Sequence, residues 1–247
     1  MKSIFTILTI SFLAIFTSCT TNEASLEKLL NKNPEIISKL IEKNPKLFLQ
    51  SLQKASMAYQ KEMREAQRPK GPLKVKIDPK RVYKGEESAQ LVIVEYSDFQ
   101  CYYCAKSYPV INQLLKEYKG KVKLLYKHLP IRNHPLAMPA ALRYEALAKQ
   151  SKKMAIAFHD KIFEEQQAFN QGKIKYLDDL AKKLGANMQK YKTALASNEV
   201  KAIVQSDMVE AGRLGFSGTP GFVVGDQGIY GYKDFNSFKK IIEAKLK

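Results

Sequence analysis

Cys101-Tyr-Tyr-Cys104 places two thiols three residues apart in a 247-residue chain whose third cysteine is Cys19. Such a pair can form a structural disulfide, supply half of a zinc site, or exchange disulfides with another molecule. Three cysteines are too few for a disulfide-stapled scaffold or a four-cysteine zinc site. The three histidines, His128, His134 and His159, show no paired ligand spacing, so neither a metal nor another cofactor is expected. The setting of the pair favours exchange. It follows Leu91-Val-Ile-Val-Glu-Tyr96, which reads as a buried strand, and it opens a helix beginning near Tyr102. A helix start offers unpaired backbone N–H groups and positive dipole potential, and both favour the Cys101 thiolate. A thiol of lowered pKa attacks at neutral pH and is also a good leaving group. Cys104, one turn inside the helix, is then the resolving thiol.

Two more places add to this chemistry. Glu95 interrupts the apolar strand six residues before Cys101. A buried carboxyl there has a raised pKa and can take or give a proton as the Cys104 sulfur changes state. A salt bridge to Lys127 is the plainer reading, and the two are compatible. Gly218-Thr-Pro-Gly221 precedes another strand, Phe222-Val-Val224; by itself it reads as an ordinary turn.

The elements that must hold these residues run as strand, helix, strand, helical block, hairpin and helix. Leu73–Ile77 alternates as an edge strand would, and 78–88 is turn-rich. Tyr102–Tyr118 reads as a helix interrupted by Pro109, and Val122–His128 as a strand. Residues 135–214 read as helical, with breaks near Ser151, Gly172 and Gly185. A hairpin joins Phe222–Val224 to Ile229-Tyr230, and Phe235–Leu246 closes the chain as an amphipathic helix. This order is an α/β layer with a large helical insertion.

Residues 94–104, Val-Glu-Tyr-Ser-Asp-Phe-Gln-Cys-Tyr-Tyr-Cys, resemble the active-site run of DsbA-like thiol:disulfide oxidoreductases, a branch of the thioredoxin fold. Residues 214–224, Leu-Gly-Phe-Ser-Gly-Thr-Pro-Gly-Phe-Val-Val, resemble that family's cis-proline loop and the strand after it. The resemblance spans roughly 73–247. It implies an α/β, thioredoxin-like fold with an inserted helical domain at about 135–213, preceded here by an N-terminal helical segment. It implies catalysis by Cys101 and Cys104, with Glu95 at the position of the family's acid. It implies a cis Thr219–Pro220 bond, with Thr219 offering backbone groups to an extended substrate. Thr219, Pro220, Tyr102 and Tyr103 are therefore the expected substrate contacts. The Tyr-Tyr dipeptide departs from the Pro-His pair of many members. Cysteine-containing proteins are the expected substrates and a membrane protein the expected redox partner.

The amino terminus reads as an export signal: Lys2, an apolar stretch from Ile4 to Phe16, then Thr17, Ser18 and Cys19. The Phe-Thr-Ser-Cys ending resembles a bacterial lipobox, which would leave Cys19 lipidated, although Phe16 stands where Leu is usual and simple cleavage is the alternative. The expected location is the periplasm or cell envelope, where thiols can form and keep disulfides. Residues 20–70 form a helical segment and linker, with restarts at Asn33-Pro34 and Asn44-Pro45. Phe48, Leu52, Ala55, Tyr59 and Met63 make one apolar stripe at helical spacing, which predicts a homo-oligomer. Residues 71–247 form the catalytic domain. The formal charge of +17 is spread over every helix without interleaved aromatics, which argues against nucleic-acid binding. The rival to an enzyme is a non-catalytic oligomeric lipoprotein with a chaperone or interaction role.

Overall fold

The computed structural model describes residues 23–66 and 68–247, with side chains from Glu27 onward; the signal segment and Cys19 lie outside the described residues. The described residues divide into two units, one ending at Lys61 and the other running from Glu62 to Lys247.

The first unit holds helices α1 (Glu23–Lys32), α2 (Glu35–Lys43) and most of α3 (Pro45–Ala66). The two Asn-Pro pairs punctuate it differently. Asn44 gives its carbonyl to Phe48 N, as an N-cap should, at 3.1 Å. The Asn33 side chain instead donates back to Leu29 O at 3.0 Å and closes the end of α1. Phe48, Leu52, Tyr59 and Met63 are all exposed.

The second unit is built on a five-stranded mixed sheet of order β1-β3-β2-β4-β5. Its strands are β1 (Tyr83–Gly85), β2 (Leu91–Ser97), β3 (Val122–His128), β4 (Gly221–Val224) and β5 (Gln227–Tyr230). β2 and β3 are parallel; the other pairings are antiparallel. The edge strand is not Leu73–Ile77. That segment buries Leu73, but its backbone is satisfied from outside the sheet: Leu73 N donates to Asp226 O, Lys76 N to the Glu210 carboxylate, and Arg213 donates to Lys74 O. The turn-rich stretch supplies β1 in its place.

Helix α4 (Tyr102–Glu117) follows β2 and runs unbroken through Pro109. An interior proline costs about 3 kcal/mol, but Cys104, Ser107, Ile111 and Leu114 are buried on both sides of it, and that packing holds the helix. α5 (Ala137–Ala148), α6 (Lys152–Glu164), α7 (Gln166–Lys183), α8 (Met188–Ala196) and α9 (Asn198–Arg213) make the helical block, and α10 (Phe235–Lys245) closes the chain. The breaks at Ser151 and Gly185 lie where the sequence places them, and the one near Gly172 is a kink at Lys173, with φ 53°. Two further breaks, at Glu165 and Ser197, carry no glycine or proline; Ser197 caps α9 by accepting from Val200 N.

One face of the sheet carries Ile93, Leu124, Phe222 and Val224 against α4 and α10, with Tyr126 packed into the helical block. The other face buries Val94, Tyr96, Leu125 and Val223 with Leu73 and the end of α9. Near the end of β3 a charged cluster is fully paired. Arg81 donates to both Asp207 oxygens, at 3.0 and 2.9 Å, and to Glu145 at 3.1 Å. His128 Nε2 meets Glu145 at 2.9 Å, and His128 N donates to Asp207. Burial opposes the Arg81 charge, but the two carboxylates outweigh it and raise its pKa.

Candidate active site

The turn between β2 and α4 is held from several directions. Cys101 N donates to Asp98 O at 3.0 Å. The Asp98 carboxylate accepts from Gln100 N and Ile131 N and lies 2.7 Å from His134 Nδ1. Gln166, at the start of α7, donates from one amide nitrogen to Phe99 O at 2.9 Å and Cys101 O at 3.0 Å. The helical block thus grips the redox corner directly. Sequence reading missed Gln166, because a glutamine in a helical stretch reads as solvated surface.

Cys101 stands at the N-cap of α4 in extended conformation, with φ −73° and ψ 123°. Its side chain makes no capping hydrogen bond of the serine or aspartate kind. Both Cys101 and Cys104 are free thiols. The Cys101 pKa is lowered to about 6. The Cys104 thiol donating to its sulfur is the largest cause; the Thr219 hydroxyl and the N–H groups of Cys104 and Tyr103 add to it against a burial penalty. Cys104 is fully buried, and burial, then the hydrogen bond its thiol donates to Cys101 and the Cys101 charge, push its pKa well up. One thiol is poised to ionise and the other to stay protonated.

The Thr219–Pro220 bond is cis, and the Thr219 carbonyl lies 3.5 Å from Cys101 Sγ. Gly221 follows because nothing larger fits: a Cβ there would fall 2.4 Å from the Phe216 ring. Tyr102 and Tyr103 point outward, 68% and 54% exposed, with their rings edge to face at 5.3 Å.

Glu95 is buried on the same face as Cys104. It pairs in register with Tyr126 on β3, so Lys127 falls on the opposite face and is bound to Glu210 instead. The salt bridge read from the sequence is therefore not made; side chains alternate along a strand, and Lys127 is one residue out of phase. Burial raises the Glu95 pKa to about 7, against the Ser97 hydroxyl and Lys84, which favour its charge. The structure thus brings Cys101, Cys104, Glu95, Thr219 and Pro220 together, with Tyr102 and Tyr103 at the rim. Among the described residues, no group of three or more histidine, cysteine or acidic side chains is placed to hold a metal. No helix among them is long and apolar enough to cross a membrane.

Comparison with known proteins follows the same lines. A family model described as Thioredoxin matches residues 78–244. The probable disulfide bond formation protein D of Bacillus cereus is 31% identical over 170 residues, covering 66% of this chain and 77% of that one. Na(+)/H(+) antiporter NhaA 3 of Salinispora tropica is 31% identical over 155 residues, covering 62% of this chain; the chain spans 23% of that antiporter's length. BdbD from Bacillus subtilis, solved in its oxidised form, superposes with a TM-score of 0.62 at 24% identity, covering 71% of this chain and 96% of that one. With the strand, cysteine pair, inserted helices and cis-proline strand in this order and geometry, the chain belongs to the DsbA-like branch of the thioredoxin-fold family.

Proposed function

We propose that the protein is an exported thiol:disulfide oxidoreductase acting on cysteine-containing proteins through Cys101 and Cys104. The observation that carries this reading is the asymmetry of the pair: an ionisable Cys101 at the open start of α4 beside Thr219 O, and a buried, protonated Cys104 behind it. In the oxidising direction a substrate thiolate attacks Cys101 Sγ of the disulfide. The Cys101–Cys104 bond breaks, and Cys104 leaves as a thiolate that takes its proton from Glu95. A second substrate thiolate then attacks the substrate sulfur of the mixed disulfide and releases Cys101 as a thiolate. Isomerase or reductase action runs the same steps from the reduced pair. The Thr219 backbone pairs with an extended substrate beside Pro220, a sequence-tolerant mode of docking, and Tyr102 and Tyr103 add aromatic contact. The disulfide-formation name of the Bacillus cereus relative supports the exchange chemistry.

The test is trapping. Cys104→Ala should accumulate mixed disulfides with substrate proteins and Cys101→Ala should form almost none; the reverse pattern overturns the roles. Alkylation rate against pH separates the enzyme from a non-catalytic lipoprotein, since an inert pair shows no thiol titrating near 6.

Localisation and assembly belong to the same reading. Residues 1–19 hold the export signal for the periplasm or cell envelope, with cleavage before Cys19 leaving it as a lipid anchor or, in the alternative, simple signal cleavage, and a membrane protein resets the redox state. Residues 20–70 hold copies together through the exposed stripe of α3, and residues 71–247 carry catalysis. Burying a few large apolar side chains, at about 1.5–3 kcal/mol each, suffices for association. Light scattering of the mature protein should give a multiple of the chain mass, and a chain starting at Pro69 a single one.

A further inference from the structure

Among the described residues, three buried side-chain polar atoms have no hydrogen-bond partner: Ser97 Oγ, Tyr126 Oη and His159 Nε2. Native proteins leave few such atoms, because each costs the desolvation of its group. These three are not scattered. Ser97 lies two residues after Glu95 on β2, on the same face, and Tyr126 is the β3 register partner of Glu95. The Ser97 hydroxyl lies close enough to Glu95, Cys104 and Tyr126 to favour the ionised form of each, although it meets none of them in hydrogen-bond geometry in the reduced, protonated protein. The Tyr126 ring meets the His159 ring at 4.6 Å, edge to face. His159 Nδ1 lies 2.9 Å from Asp160, and Asp160 is bound to Lys84 at 2.6 Å, where both side chains are partly exposed. A small cavity lined by Lys84, Tyr126, Tyr144 and His159, among others, has room for about one water molecule.

We infer that Ser97, Tyr126 and His159 form a proton path joining Glu95 and Cys104 to the surface at Asp160 and Lys84. This rests on the reading of Glu95 as the proton carrier and extends it. When Cys104 attacks Cys101 Sγ of a mixed disulfide, the Cys101–Cys104 bond forms and the substrate sulfur leaves as a thiolate. The Cys104 proton goes to Glu95. Glu95 is sealed from solvent, so it must pass that proton on before the next cycle. Ser97 and Tyr126 are hydroxyls that can accept one proton while giving another. Asp160 holds the His159 Nδ1 proton, which leaves Nε2 bare and able to accept. The groups facing His159 are Lys84 from β1, Tyr108 from α4, Tyr126 and His128 from β3, Tyr144 from α5 and its neighbour Asp160. Burial holds the imidazole neutral at neutral pH, the state a shuttle needs.

The test follows the reduced full chain reacting with oxidised glutathione, resolved into attack by Cys101 and closure by Cys104. Tyr126→Phe and His159→Gln should each slow closure about tenfold near pH 7 and enlarge its solvent deuterium isotope effect. The attack step, the alkylation pKa of Cys101 and the reduction potential should not move. Tyr126→Phe loses no hydrogen bond, so it should fold at least as stably as the parent; a purely structural tyrosine would show no closure defect. Glu95→Gln is measured alongside. If it slows closure while both path variants stay within twofold of the parent, the path is overturned and Glu95 keeps its role. If none of the three slows closure, both readings fall.

Discussion

Around His128 each buried polar group has a partner: Arg81 grips Asp207 and Glu145, and His128 is held by the same two carboxylates. Around Tyr126, two residues earlier on the same face of β3, the tyrosine hydroxyl, Ser97 Oγ and His159 Nε2 go without. Both clusters are buried polar groups beneath the helical block. The first behaves as a fastener, in which every charge is neutralised by a fixed neighbour. The second has one acid, one thiol and three free polar atoms, and it lies behind the redox pair. Buried groups that are paired tie elements together; those left unpaired, with shifted pKa values, are where protons can move.

Breaking the paired cluster should have the largest effect. Arg81→Met leaves Asp207 and Glu145 buried without their cation and should cost about 3–5 kcal/mol, read as a lower urea midpoint. Cys101 alkylation against pH should be unchanged in the molecules that remain folded. Loss of the low Cys101 pKa in that variant would show that the two clusters are not separate.

The open cluster should respond with the opposite sign. The Glu95 carboxyl titrates at about 7 in the fold and near 4.5 when unfolded. Its contribution is therefore fully present below pH 4.5 and is lost as pH rises through 7. The loss amounts to at most ~3.5 kcal/mol at about 1.4 kcal/mol per unit. Glu95→Gln should flatten stability over that window and leave the protein more stable at pH 8, while slowing exchange. A stability profile that keeps its fall between pH 4.5 and 7 would assign the titration to another group.

Smaller effects sharpen the contrast. Gln166→Ala removes two hydrogen bonds to the redox corner and should cost roughly 1–3 kcal/mol. With the carbonyls of Phe99 and Cys101 no longer held, the Cys101 pKa should rise, as alkylation against pH would show. Ser97→Ala should change stability least, by about 1 kcal/mol or less, because its hydroxyl makes no hydrogen bond in the reduced protein, and it should push the Glu95 pKa further up, since that hydroxyl favours the Glu95 charge. A clear destabilisation there, by denaturant melt, would mean that Ser97 is a fastener after all.

Much of this was legible in the chain itself. Leu91–Tyr96, Val122–His128 and the hairpin are apolar runs bounded by turns, and they are strands. Cys101 follows one of them directly, so its place at a helix start needed no tertiary information. Glu95 announced itself as a charge inside an apolar run. The stripe of α3 was visible as a period near 3.6. These features depend on neighbours in sequence, where local sterics and periodicity decide.

The errors and omissions share a different cause. Leu73–Ile77 alternates like a strand, yet its backbone donors and acceptors are taken by Glu210, Arg213 and Asp226, groups that lie more than 130 residues away. Pro109 reads as a break, yet burial on both sides carries α4 through it. Lys127 looks like the partner of Glu95 until the β2–β3 register sets Tyr126 there. Gln166 and His159 are unremarkable in helices until the fold turns them towards Cys101 and Tyr126. The sequence by itself determined the elements and the pair of thiols. Tertiary structure alone decided which polar groups are buried together and which of those go unpaired, because burial and pairing depend on register and packing between distant segments, and those fix the pKa values on which the chemistry rests.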